Sequence, residues 1–333
     1  MKYHTSAVAR MMQRLALLML PAVMLAGTLP APAQAKWPDK PVKIILPFGA
    51  GGVADVTSRI LADKLSKKFG ERFVIENMPG PGGINAARAV VTSVPDGYTL
   101  GLVTNGTAIS VAAFKHLPFD PVKQFEMISG LGQFNLLLAV AANSPYKTLG
   151  DFMKAAKAQP GKLNIGTVVV GSTQNLGGEL FKSMADLNVV IVPFRRSPDI
   201  VVALLRNDVQ MLIEFPPAIK GQVSAGKLRV LASSGPKREP ESPNVPTVAE
   251  AGVKGYLVTS WNGVFAPKGT PKEVVSAMNK AMNEILAEPE VKAQFAKLGV
   301  EAHASTPDEM MQRLKEDIKK WTVVIDKAGI PRK

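Results

Sequence analysis

Residues 42–46, Val-Lys-Ile-Ile-Leu, run directly into Pro47-Phe48-Gly49-Ala50-Gly51-Gly52-Val53-Ala54-Asp55 and then into a segment of helical period. A largely apolar strand that feeds a glycine turn and then a helix is the building unit of an α/β fold. The junction is also an anion cradle, because glycine lets the backbone approach a ligand and the first N–H groups of the helix carry positive dipole. The same letters read as G-x-G-x-x-A, a dinucleotide-binding fingerprint, with Glu76 closing a second strand. Two kinds of protein fit the loop: a nucleotide enzyme and a receptor for small anions.

The N-terminus bears on that choice. Lys2, Arg10 and Arg14 precede an apolar run over 15–25, followed by Ala33-Gln34-Ala35. A basic start, a short apolar core and a small-x-small site are the marks of a secretory signal peptide over 1–35, cleaved after Ala35. Arg10 and Arg14 are not adjacent, so twin-arginine export of a prefolded, cofactor-loaded protein is not signalled. Sec-type export of an apo-protein to the periplasm is expected, with no cofactor.

The 333 residues contain no Cys, which leaves no disulfide or thiolate chemistry, and 46% hydrophobic content is enough to build a core for two domains. His4 leaves with the signal, and His116 and His303 stand apart from other metal-type ligands, so no histidine-based metal centre is expected. The formal charge is +13, and +10 once Lys2, Arg10 and Arg14 are removed. Its basic residues are dispersed over helix faces and not interleaved with aromatics, which argues against nucleic acid and leaves steering of an anionic solute.

Strand-like runs fall at 42–46, 73–76, 98–103, 136–141, 162–166, 189–192, 210–213, 229–232 and 258–266. Helical periodicity falls between them, at 53–68, 84–93, 149–158, 175–184, 200–206, 271–287 and 306–326. Thr148 with Asp151, Thr270 with Pro271 and Glu273, and Thr306 with Pro307 and Glu309 are expected helix starts. Met310, Leu314, Ile318 and Trp321 form a stripe expected to face the core.

Several motifs together resemble the Bug-type solute receptors of tripartite tricarboxylate transporters. They are Trp37-Pro38-Asp39-Lys40-Pro41-Val42, the 47–55 loop, Glu76-Asn77 with Pro79-Gly80-Pro81-Gly82-Gly83, and Pro95-Asp96-Gly97-Tyr98-Thr99-Leu100. Further along come Pro160-Gly161-Lys162-Leu163-Asn164, Gly178-Glu179-Leu180-Phe181, Ala225-Gly226-Lys227-Leu228-Arg229, Val245-Pro246-Thr247 and Ser260-Trp261. The resemblance covers essentially the whole mature chain, in order. It implies a hinged, two-lobed periplasmic binding protein, each lobe an α/β sheet sandwich, with the ligand in the cleft between them. Lobe I would comprise 36–139 and 262–333 and lobe II 140–261, with 136–141 and 258–266 as the paired crossovers. The implied ligand is a small organic carboxylate, the implied partners are the permease subunits, and a monomer is expected.

The resemblance places one jaw of the clamp at Phe48, Gly51, Gly52 and Asp55. Asp55 can order the loop as a helix-start residue or hold a bridging water. Asn105 and Thr107, just past a strand end, offer neutral hydrogen bonds or simply make a turn. Gly171-Ser172-Thr173 matches a second glycine loop, an anion cradle or an ordinary N-cap, and Asn175 stands where the family commonly has His. Arg195 and Arg196 offer a grip on a distal carboxylate or are solvated, and Ser197 follows them, with Asp199 near the expected helix start. Glu214 departs from the family's usual Asp-Asn pair, and Trp261 is either a cleft wall or a buried hinge residue. Against this reading stand an NAD-binding oxidoreductase, which the export signal and the whole-chain pattern oppose, and a carboxylate sensor that feeds no permease. No catalytic residues are assigned.

Overall fold

The computed structural model describes residues 37–239 and 242–332, so the expected signal segment lies outside the described residues. From Lys40 onward the chain makes two sheets. In the first, β1 (Val42–Leu46) pairs in parallel with β2 (Phe73–Asn77) and β3 (Thr99–Thr104). The long β10 (Thr259–Pro267) lies antiparallel between β3 and β4 (Phe125–Asn135), and β11 (Glu301–Ala302) closes the β4 edge. The second sheet runs β7 (Val190–Phe194), β6 (Asn164–Val168), β8 (Met211–Glu214), β5 (Leu137–Ala141) and β9 (Leu228–Ser233).

Helices occupy the connections. In the first sheet these are α1 (Val53–Phe69), α2 (Ile84–Val91), α3 (Asn105–Ala113) and the single turn α4 (Pro121–Gln124). The second sheet carries α5 (Leu149–Ala158), α6 (Thr173–Met184), α7 (Ser197–Leu205) and α8 (Pro216–Ser224). After β10 the chain continues through α9 (Lys272–Ala287), α10 (Pro289–Lys297) and α11 (Pro307–Ala328). The α/β class expected from the sequence is the one observed. In the first sheet, Phe125 on β4 and Phe265 on β10 stack with ring centroids 3.7 Å apart, and fully buried Val103 belongs to the same core. Among the described residues, no helix is long and apolar enough to cross a membrane.

Capping follows the sequence at two of three expected places. Thr148 Oγ1 accepts from Asp151 N at 3.1 Å, and Thr306 Oγ1 accepts from Glu309 N at 3.2 Å while Glu309 returns a carboxylate to Thr306 N. Thr270 instead donates its hydroxyl to Pro267 O, and α9 begins two residues later behind Pro271 without a side-chain cap. Six of the named elements were not expected: β4, β11, α3, the single turn α4, α8 and α10. β4 carries Gly130 and Gly132, which weaken a strand reading, yet the close return of the 300–305 segment requires them: a Cβ at Gly130 would sit 2.5 Å from His303 O. At α3 the Asn105-Gly106 pair reads as a turn, but it opens a helix.

The chain passes from the first sheet to the second at a single residue, Leu136, and returns through Val258. The expected crossover strands are therefore not divided between sheets: β5 belongs wholly to the second and β10 wholly to the first. Positions 139/140 and 261/262 fall inside those two strands. Ser234 stitches the two crossings together. Its N–H donates to Leu136 O, its Oγ accepts from Leu136 N at 2.7 Å and donates to Val258 O, and its own carbonyl accepts from Val258 N. Because Ser234 is fully buried, Ser234→Ala leaves a buried backbone N–H without its acceptor. The variant is expected to lose about 1–3 kcal/mol of stability in urea denaturation, with the far-UV circular dichroism of the native state unchanged.

Candidate functional site

Where β1 ends, the chain turns through Gly51 at φ +86°, a left-handed conformation that a side chain would strain. The Gly51 N–H donates to Asp55 Oδ2 at 2.9 Å, four residues on. Asp55 is buried, and the guanidinium of Arg59 forks onto it, Nε to Oδ2 at 3.0 Å and Nη2 to Oδ1 at 2.9 Å. Asn77 Nδ2 also donates to Asp55 Oδ1, at 2.9 Å, and to Phe48 O. The Arg59 bond above all, helped by Gly51 and Asn77 against the opposing effect of burial, holds the Asp55 carboxyl down at about 2, below the ordinary 3.8. Both carboxylate oxygens are used inside the loop, so Asp55 orders the cradle. Gly52 at the N-cap has no side chain to cover the first N–H groups of α1.

The second loop repeats this construction with neutral groups. Gly171 has φ +84°, and its N–H donates at 3.2 Å to Oδ1 of Asn175, again four residues on. Asn175 N donates to Ser172 Oγ at 3.1 Å, and Asn175 Nδ2 to Thr167 Oγ1 at 3.2 Å. Asn175, like Asp55, is buried beneath its loop. Both loops open on one cavity of about 410 Å³, to which Phe48, Gly52, Ser172 and Thr173 contribute among the expected residues.

A third helix start meets the same space. Thr104 and Gly106 line it, while Thr107 Oγ1 is occupied as the acceptor of Thr104 N at 3.2 Å. Asn105 lies behind, fully buried: its Oδ1 accepts from Trp321 Nε1 at 2.8 Å and its Nδ2 donates to Thr173 Oγ1 at 2.8 Å. That last bond joins the start of α3 on the first sheet to the start of α6 on the second.

Other expected residues stand differently. The Glu214 carboxyl is buried at the end of β8, where Oε1 accepts from Gln174 Nε2 at 2.7 Å and from Phe215 N at 2.9 Å, while Oε2 has no hydrogen-bond partner. Gln174 itself lines the cavity. Arg195 is exposed at the end of β7, an edge strand, and neither it nor Ser197 lines the cavity. Arg196 forks onto Asp199 at the surface. Trp261 is buried and donates its Nε1 to Asp317 on α11, lining a separate cavity beside that helix. On β10 successive side chains alternate faces, so Ser260 and Asn262, not Trp261, reach the cleft. Glu76, the acid of the dinucleotide reading, pairs with Lys43 at 2.8 Å. Residues that the sequence reading missed include Phe134 and Phe215, in edge-on contact at 4.9 Å, and Leu298 and Val300 from the α10–β11 connection. The two-residue side-chain period of β10 was the signal available for Ser260 and Asn262.

Comparison with known proteins gives the family and the fold. Residues 57–330 match the model described as "Tripartite tricarboxylate transporter family receptor". A relative from Cupriavidus necator, "UPF0065 protein in gbd 5'region", is 34% identical over 310 residues, covering 92% of this chain and 93% of that protein. Among solved structures, "R. palustris Rpa4515 with adipate" is 33% identical with TM-score 0.76, covering 89% of this chain and 99% of that one. "MatC (Rpa3494) from Rhodopseudomonas palustris with bound malate" is 29% identical with TM-score 0.71, covering 87% and 100% respectively. The fold is the two-lobed one of periplasmic binding proteins, and the chain belongs to the receptor family of the tripartite tricarboxylate transporters.

Proposed function

We propose that this chain is an exported periplasmic receptor that closes on a small organic carboxylate between two lobes and hands it, as a monomer, to the permease subunits of a tripartite tricarboxylate transporter. The observation that carries this reading is the pair of glycine loops of the same build, one from each sheet, opening on one cavity. Helix starts aimed at a shared space from two sides suit an anion that touches both lobes, directly or through water. The carboxylates named for the two R. palustris proteins lend support. We draw the lobes at the sheet crossings, Leu136 and Val258, with lobe II between them.

In this reading Phe48, Gly52, Ser172 and Thr173 touch the ligand, while Gly51, Asp55, Asn105, Thr107, Asn175 and Glu214 hold the contacting residues in place. Arg195, Ser197 and Trp261 are left outside the clamp. Isothermal titration of residues 36–333 against mono-, di- and tricarboxylates is expected to give saturable binding of at least one of them. Silence throughout, with binding of NAD, would overturn the reading.

Asp55 supplies a second test. Its folded pKa is depressed, so the stability it contributes is present above the ordinary carboxylate value and is lost as pH falls through the window from about 4 to about 2. That contribution is on the order of 2 kcal/mol. Asp55→Asn is therefore expected to lower the urea midpoint at pH 7 and to flatten the loss of stability between pH 4 and pH 2. Asp55→Ala, which leaves the Gly51 N–H without the acceptor that an Asn could still supply, as Asn175 does for Gly171, is expected to weaken carboxylate binding at least tenfold. Wild-type affinity in the variant would remove this loop from the site.

A further inference from the structure

We propose that Gln174, turned by the buried carboxyl of Glu214, determines specificity in the cleft: its carbonyl takes a hydrogen-bond donor of the ligand, so the receptor favours carboxylates that also bear a hydroxyl or ammonium group over the plain acids. This rests on the receptor reading above and narrows its substrate class.

Most polar groups around the cavity suit a carboxylate. The first N–H groups of α1 and α6 donate, and the start of α3 adds the N–H of Gly106. Ser172 contributes a hydroxyl, and β10 adds the hydroxyl of Ser260 and the amide of Asn262. These donors come from both sheets and can serve more than one carboxylate. Hydroxyls rotate and a free amide can present either end, so none of these groups requires a donor from the ligand.

Gln174 is different. It is the second residue of α6, is 7% exposed and lines the cavity. Its Nε2 donates at 2.7 Å to Glu214 Oε1, an oxygen that also accepts from Phe215 N at 2.9 Å. Only the nitrogen end of the amide can meet such an acceptor, so the Gln174 side chain is held in one orientation. Its second N–H can join the donors to a carboxylate. Its Oε1 can only accept, and among the described residues no protein group donates to it.

Glu214 adds to this surplus of acceptors. It is 1% exposed, its Oε2 has no hydrogen-bond partner, and among the described residues no cation pairs with it, whereas Arg59 meets the buried Asp55. A buried acceptor left unpaired is costly, so water or ligand must supply what the protein does not. A hydroxyl beside the ligand's carboxylate would satisfy Gln174 Oε1. An ammonium would do the same and bring positive charge toward the unpaired carboxyl behind it. A plain acid offers neither, and leaves the carbonyl stripped of water and unpaired.

Isothermal titration of residues 36–333 with matched acids tests this: succinate, malate and aspartate; glutarate, 2-hydroxyglutarate and glutamate; 3-phenylpropanoate, phenyllactate and phenylalanine. Within the set that holds the tightest ligand, the hydroxy or amino acid is expected to bind at least about fivefold more tightly than the plain acid, and whichever leads tells hydroxyl from ammonium. A smaller preference, or none, would overturn the proposal while leaving the receptor reading standing. Silence for all nine would overturn it too, and silence extending to tricarboxylates would take the receptor reading with it. Gln174→Leu, with its fold checked by circular dichroism, is expected to bring the acids of that set to equal affinity by weakening the donor-bearing ones; a preference that survives would overturn the assignment to Gln174. Glu214→Leu removes the buried acid outright and frees the Gln174 amide to turn, so the preference is expected to fall at least about threefold. An unchanged preference in that folded variant would overturn the role given to Glu214.

Discussion

The amide of Asn105 holds the geometry of the cleft together. It is fully buried, and a buried amide left without partners costs about 1–3 kcal/mol per unsatisfied group. Trp321 satisfies its oxygen and Thr173 its nitrogen. Each of these three residues sits on a different helix, and α11 packs against both α3 and α6. One side chain thus fixes the starts of α3 and α6 relative to one another and to the closing helix. The spacing of the cavity walls follows from satisfying it.

The two glycine loops solve one problem with different charges. In each, a glycine in the left-handed region turns its N–H back onto a side chain four residues later. The first loop uses a carboxylate, whose negative charge Arg59 offsets, and the second uses the neutral amide of Asn175. Either way the helix start faces the cavity with no net side-chain charge of its own. In the proposed receptor, attraction for an anion would come from oriented backbone groups, which are already in place and need little reorganisation.

Much of this was legible in the sequence because it is local. The glycine loops, the α/β alternation, and the Thr148 and Thr306 caps depend on residues within a few positions of each other, where propensity and spacing act directly. Asp55 was legible only as two alternatives, and the choice was made by Arg59 and by Asn77, which lies on the next strand. The cavity's apolar wall was not legible: Phe134 at the end of β4, Phe215 between β8 and α8, and Val300 before β11 meet only when the sheets face one another. Arg195 and Arg196 stand away from the cavity for a related reason. Their position after a strand suggested a site, but β7 is the sheet's outer edge, and strand order is a property of the whole lobe.

Separating the two sheets would leave some of these contacts intact and break others. Ser234 sits at the crossings, where its four hydrogen bonds tie Leu136 to Val258, so rotation about that point disturbs them least. The Asn105–Thr173 bond lies across the cleft and must break as the walls part. Water would then reach both groups, and the net loss for such a bond is only about 0.5–1.5 kcal/mol. A term of that size does not hold the lobes shut by itself. It places the closed form within reach, so that a carboxylate touching both glycine loops needs only modest differential affinity to shift the balance. The packing of α11 against α6 and the edge-on Phe134–Phe215 contact also cross between the lobes, so closure is shared among several contacts and a ligand need supply only the difference between the two forms.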